Sequence, residues 1–490
     1  MPGLLSRFDL SRVDLARFNL SRVGLARFDL SWLDPARVRQ IWQRLLFANP
    51  LYRLSLRGRV PTMVHPLPPE PWPGDPRAAD GILEGIWVLD GQPVDLGENP
   101  WIGDADDNQD LHGFSWLGDL RALGSDAARA RARRLIDGWI EAHRVWSSPV
   151  WRPDVLGRRL CHWLAAHGFL TRDADPAFCR RLNDAIAVQA RHLRRTAAAG
   201  PANQNHGDAR TFLAIKGLIY GGVCLPGFAA CLIEGQRLLA RTLDRQVLPD
   251  GGHVARRPDV QMRVLRHLIE MRAAMAISGG DVPLALQNAI DRMTPMLRGL
   301  RLGDGGLARF NGGDAEDGAA VDAVIAQSRV KGRALSSAPH SGFQRLAAGR
   351  TVLVMDTGAP PAGGHAHAGP LSFEMSSGRN RLIVNCGPYP GDDAAWAAAM
   401  RSTASHSTVV VDDTNAVRLD SSDRGRRHDV IEVSAQRRQA EGNIWLDSRH
   451  DGYRRAFGLI HERRLYLDAA GEDLRGEDVL SGVSGSDGDD

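Results

Sequence analysis

The chain has 490 residues, 61 Lys and Arg against 58 Asp and Glu, and a formal net charge of +3 at pH 7. That near balance excludes a surface built to coat polyanions, while a local basic cleft is compatible with it. Apolar residues make up 43% and charged residues 24%, the proportions of a globular protein. No window approaches the roughly 18 uncharged apolar residues of a membrane span. The cysteines Cys161, Cys179, Cys224, Cys231 and Cys386 form no CxxC pair and are odd in number, so neither a disulfide framework nor a cysteine metal site is expected.

In chain order, residues 5–34 read as pentads, LSRFD, LSRVD, LARFN, LSRVG, LARFD and LSWLD. A five-residue period gathers leucines on one face of neither a helix nor a strand. A square β-solenoid suits the period, but these repeats make too few coils to bury a core. Residues 1–34 are therefore expected to be a poorly ordered leader, and without a continuous apolar run they do not read as a secretion signal.

Residues 35–111 lead into the body of the protein. A short helix is expected from Pro35 to Leu54, capped by Asp34. The proline-rich strap PLPPEPWPGDP and a short β segment, GIWVLDGQPVDLG, follow. From residue 112 to 335 the period is helical, with helices expected near 112–122, 126–146, 152–171, 177–198, 207–222, 226–246, 257–278 and 281–300. Paired helices with short loops and no heptads predict an α/α toroid.

From residue 336 to 480 the runs become short and alternating: FQRLAAG, TVLVMDTG, LSFEMSSG, RLIVNCG, STVVVDD, VIEVSAQ, NIWLDS and RRLYLDA. Such runs predict an antiparallel sandwich, with 481–490 as a disordered tail. The fold class expected is multidomain α + β, an incomplete α/α toroid followed by an antiparallel β-sandwich.

Within the sandwich region, His365 and His367 stand two apart in GGHAHAGPLSFEM, a spacing that places both on one face of an extended segment. Together with RSTASHSTVVVDD, DGGHVARRPDVQ, SAPHSGFQRLAAGRTVLVMDTG and HDGYRRAFGLIHERRLYL, this segment resembles the heparinase II/III family of polysaccharide lyases from about residue 38 onward. The resemblance implies β-elimination at a uronic acid of an acidic polysaccharide, in a cleft between toroid and sandwich. That chemistry needs a group to neutralise the carboxylate, a base for the C5 proton and an acid for the leaving oxygen.

Residue by residue, the resemblance assigns Asn205 and His206 to carboxylate neutralisation and His365 to the base, with Asn203 and Arg210 as nearby contacts. His367, Asn385 and His406 fall on zinc-ligand positions, the middle one an aspartate in zinc-bearing relatives, so a structural zinc is open to question. The family tyrosine and the histidine after it are Val260 and Gln261 here. Tyr389 or His253 is then the candidate acid, and Arg256 and Tyr453 are candidate substrate contacts.

Two other functions are compatible with the same residues. One is a glycan-binding protein that has lost elimination with the tyrosine. The other is a glycoside hydrolase using Asp104, Asp106 or Asp107. No nucleic-acid partner and no membrane span are expected. The resemblance places the protein in the periplasm or cell envelope, whereas the absent export signal leaves the cytoplasm open.

Overall fold

The computed structural model describes residues 42–89, 92–101, 108–199, 209–362, 365–391, 393–419 and 430–482. The expected leader and the three aspartates Asp104, Asp106 and Asp107 lie outside the described residues. The chain divides into two compact units, one of Met1–Val64 with Gly74–Asn203, the other of His65–Pro73 with Gln204–Asp490. The units thus part inside the helical region, not at the expected start of the sheets.

The first unit contains α1 (Pro50–Ser55), α2 (Pro76–Glu84), the hairpin β1 (Ile86–Leu89) and β2 (Gln92–Asp95), α3 (Gln109–Gly113), α4 (Leu117–Leu123), α5 (Asp126–Ala142), α6 (Pro153–Ala165), α7 (His167–Thr171) and α8 (Pro176–Thr196). A recurring Asx-Pro pair opens its helices. Asn49, Asp75 and Asp175 each accept the backbone N–H two residues on, at 2.8, 2.9 and 3.1 Å, while the intervening proline needs no acceptor. Pro50 also explains why the helix expected from Pro35 to Leu54 is interrupted at 48–49. It has no N–H for the preceding turn, and Asn49 restarts the helix. The core is aromatic: Trp139 meets Trp163 edge-on at 5.4 Å, and the fully buried Arg159 lays its guanidinium 4.0 Å over the Trp139 ring.

The second unit begins with α9 (Arg210–Cys224), α10 (Ala229–Gln246), α11 (Pro258–Ile277), α12 (Leu284–Gly299) and α13 (Gly318–Ser328). α9 and α10 cross so closely that a Cβ on Gly222 would stand 2.4 Å from Leu232 N. α13 was not expected, because its GAAVDAVIAQS follows a glycine-rich stretch that reads as turn.

One five-stranded antiparallel sheet follows, in the order β3 (Ser337–Ala338), β4 (Phe343–Ala348), β5 (Thr351–Asp356), β6 (Phe373–Ser377) and β7 (Asn380–Ile383). After α14 (Ala394–Arg401) comes a four-stranded sheet of β8 (Val433–Ala440), β9 (Asn443–His450), β10 (Leu459–Leu467) and β11 (Leu474–Gly482), ordered β11-β10-β9-β8. Leu346, Leu353 and Met355 of the first sheet pack with Ile444, Leu446, Leu465 and Leu467 of the second, which makes the pair a sandwich.

Two expectations in this region need correction. STVVVDD is not a strand. Asp412 and Asp413 take φ of +47° and +51°, a turn that leaves only the bridge Val411–Thr414. The chain also stays ordered past residue 480, since Ser481 and Gly482 pair with Ile460 and Leu459.

β6 carries the architecture to the site. Phe373 and Met375 pack on the sandwich core, whereas Glu374 and Ser376, both 0% exposed, turn to the helical side. There Ser376 Oγ accepts Gly303 N at 2.9 Å. The strand is therefore covered on both faces, and its second face places one carboxyl group against the backbone of Asn385.

Candidate functional site

His365 and His367 do not share the face of a strand. β6 starts only at Phe373, and in the loop before it His365 is exposed while His367 is buried. His367 Nδ1 lies 3.0 Å from His406 Nε2, with the rings perpendicular. His406 Nδ1 is 2.7 Å from the Ser402 carbonyl, an acceptor only, so that nitrogen carries the proton. His406 Nε2 therefore accepts the N–H of His367 Nδ1, and the neutral His367 ring keeps Nε2 unprotonated.

That nitrogen sits over Gly312, where a Cβ would come within 2.8 Å of it and where φ is +71°. Both facts exclude a side chain at Gly312. Burial pushes His367 down to about 3, helped by His406 and by Arg401, Arg257 and His365, neighbours beside which a second positive charge is unfavourable. Burial lowers His406 as well.

Asn385 is held by both ends of its amide. Nδ2 donates to Arg309 O at 3.0 Å, and Oδ1 accepts Ser407 N at 3.2 Å. Beneath it, Glu374 accepts Asn385 N at 2.9 Å and the backbone N–H of Arg309. Burial pushes this carboxyl up to about 7, with Arg381 Nη1 3.6 Å from Oε2.

The expected zinc ligands His367, Asn385 and His406 are thus adjacent, but they do not fit a resident zinc. The two imidazoles are hydrogen-bonded to each other, Asn385 faces backbone groups, and the carboxylate a zinc would favour is turned to N–H donors. Among the described residues no group of three or more His, Cys, Asp or Glu is placed to hold a metal ion.

On the helical side Asn203, Asn205 and His206 lie outside the described residues. Arg210 is exposed at the start of α9. His253 is not available for proton transfer. It is 2% exposed, its Nδ1 accepts Ala255 N at 3.2 Å, and its Nε2 donates to Gln246 Oε1 at 3.1 Å.

Arg256 is likewise no substrate contact. Its φ is +51°, and its guanidinium donates to Ser341 O at 2.7 Å, to Gly342 O, to Ala359 O and to the buried Asp356 carboxylate. The position of the family tyrosine, Val260, is an apolar residue 6% exposed in the first turn of α11. Gln261 beside it accepts His253 N at 2.8 Å and donates to Gly251 O and Met293 O at 2.8 and 3.1 Å.

Of the candidate phenols, Tyr453 is fully buried and donates its hydroxyl to Val409 O at 2.7 Å, a structural bond. Tyr389 is half-buried and stacks on Trp396 with centroids 6.3 Å apart. Two residues of this neighbourhood escaped the sequence reading. Arg401 at the end of α14 donates Nε to Ala366 O at 3.0 Å and accepts Ala368 N at 2.9 Å through its carbonyl, clamping the segment on both sides of His367. Glu374 is the other, and its only signal was an acid at an inward position of an alternating strand.

The comparisons agree with this architecture. Residues 330–487 match the family model described as heparinase II/III-like, C-terminal. FtsZ-localized protein C of Caulobacter vibrioides is 35% identical over 466 residues, spanning 90% of this chain and 77% of that protein. The chain belongs to the heparinase II/III-like family. A crystal structure of heparinase III superposes with a TM-score of 0.64 at 12% identity, over 89% of this chain and 76% of that one. The heparan sulfate lyase HepC of Pedobacter heparinus gives 0.57 at 18% identity, over 89% and 73%. These likenesses give the fold class, an α/α toroid followed by an antiparallel β-sandwich, as expected.

Proposed function

We propose that this family member binds an acidic polysaccharide without eliminating it, and that it is FtsZ-localized, as the name of the Caulobacter relative states of that protein. The observation that carries the reading is the pair Val260 and Gln261. The position of the family tyrosine is a buried aliphatic, and its neighbour is an amide bonded to three backbone groups. Neither can take or give a proton.

Binding of an acidic glycan is supported by the charge around the histidines. Arg401 and Arg257 both depress His367, and Arg401 Nη2 is buried with no hydrogen-bond partner among the described residues. The positive charge of these two guanidinium groups suits a carboxylate or sulfate. Surviving elimination is the second reading, and what favours it is the exposed His365 in these positive surroundings.

Affinity electrophoresis in gels containing alginate, heparan sulfate or hyaluronan tests the proposal. Retardation that weakens with added salt and with Arg401→Ala supports it. Equal migration in all gels rejects glycan binding.

A further inference from the structure

The first unit holds a pocket that the glycan reading does not use. A cavity of about 110 Å³ lies where the helical segment 42–47, α1, the turn after α5, and α8 meet. Its walls are ring faces. Phe47 stands 5.0 Å from Tyr52, 5.7 Å from Trp146 and 5.2 Å from His192, and Trp151 meets His192 edge-on at 5.2 Å. Tyr52 Oη and His192 Nδ1 satisfy each other at 2.8 Å, and burial keeps His192 neutral by pushing it down to about 3. The wall therefore offers apolar surface, on the scale of the ~150 Å³ that accommodates a benzene ring.

The rim has one sign of charge. Arg53 and Arg144 line the pocket, and no Asp or Glu does. Arg195 sits 5.5 Å over the Tyr52 ring. From Trp42 to Val64 the sequence carries Arg44, Arg53, Arg57 and Arg59 and no acid. On α1 and in the turn after α5, the elements that form the pocket, large apolar side chains face solvent, with Leu51 73%, Leu54 55% and Val145 53% exposed. An apolar surface of this kind rimmed by like charges marks an interaction site.

We infer that this pocket receives a short acidic segment of a partner protein, which inserts one aromatic or branched aliphatic side chain between the rings while its flanking carboxylates pair with Arg53 and Arg144. The shape selects this occupant over a lipid surface. A bilayer would use the scattered leucines but has no need of a ring-walled socket sized for one side chain. The inference is independent of glycan binding and survives its failure.

A displayed library of random heptapeptides, panned against the full-length protein, tests it. Enrichment of Phe, Leu or Ile flanked by Asp or Glu is expected. Fluorescence anisotropy of a labelled winning peptide should weaken at least ten-fold with Ala48→Trp, which fills the pocket, and with the double change Arg53→Glu and Arg144→Glu. All three positions are exposed, so unchanged thermal melts will show that the fold is kept. No enrichment, winners lacking acid or anchor, or unchanged affinity in Ala48→Trp overturns the inference. So does co-sedimentation with phosphatidylglycerol–phosphatidylcholine vesicles that persists in Ala48→Trp without peptide binding, which would assign the surface to lipid.

Discussion

Gln261 Oε1 accepts the backbone N–H of His253 at 2.8 Å, while its Nε2 bridges Gly251 O and Met293 O. One amide thus fixes the turn before α11 against α12, at the position where the family resemblance puts the histidine that follows the tyrosine. A donor–acceptor pair that serves the fold replaces a proton-transfer pair that would serve chemistry. Gln261→Leu should remove the side-chain partner of three backbone groups, His253 N, Gly251 O and Met293 O, and cost about 3 kcal/mol, read as a lower midpoint in urea unfolding. A change below 1 kcal/mol would show that the amide does not brace the turn.

The His367–His406 contact makes stability fall in acid. His367 has a folded pKa of about 3 against an ordinary 6.5, so the unfolded chain binds the extra proton between those values. The contribution is complete above pH 6.5 and is lost as pH falls toward 3. Between pH 7.5 and 5 the wild type should lose about 2 kcal/mol more than His367→Gln does. Parallel stability curves for the two proteins would contradict the burial argument.

Glu374 works in the opposite direction. Its pKa is raised to about 7 from 4.5, so the folded state holds the proton longer than the unfolded one. Its contribution is complete below pH 4.5 and is lost as pH rises through 7. Glu374→Gln should match the wild type at pH 4.5 and exceed it by up to about 3 kcal/mol at pH 8. A variant less stable than wild type at pH 8 would mean that the carboxylate is ionised and paired there.

Asn385→Asp is expected to change metal binding. It supplies a carboxylate beside the two imidazoles and removes the donor to Arg309 O. Without metal the variant should lose about 1–3 kcal/mol. After equilibration with zinc and desalting it should retain about one ion per chain, whereas the wild type should retain far less. Stoichiometric zinc in the wild type would overturn the fit argument made for His367, Asn385 and His406.

Much of the fold was legible because it rests on local signals. The helical period, punctuated by Gly, Pro and Asp in the gaps, placed α5, α8 and α11 within a few residues, and alternation placed β4, β5, β9 and β10. What local signals missed was set by context. α13 hides behind glycines, and the valines of STVVVDD have strand propensity that two left-handed aspartates override. At the site, spacing brought His365 and His367 to notice and the family resemblance added His406, and the structure places His367 and His406 in contact. Spacing was silent on the fate of His253, Arg256 and Tyr453, because burial and backbone partners decide whether a polar side chain serves a ligand or the fold.

The absorbance of an unsaturated uronate product tests the central claim most directly. Purified protein incubated with alginate, heparan sulfate, hyaluronan and bacterial exopolysaccharides should produce no ultraviolet rise, since Val260 and Gln261 provide no proton-transfer group. A rise catalysed by the wild type and abolished by His365→Ala would contradict the account and establish a lyase.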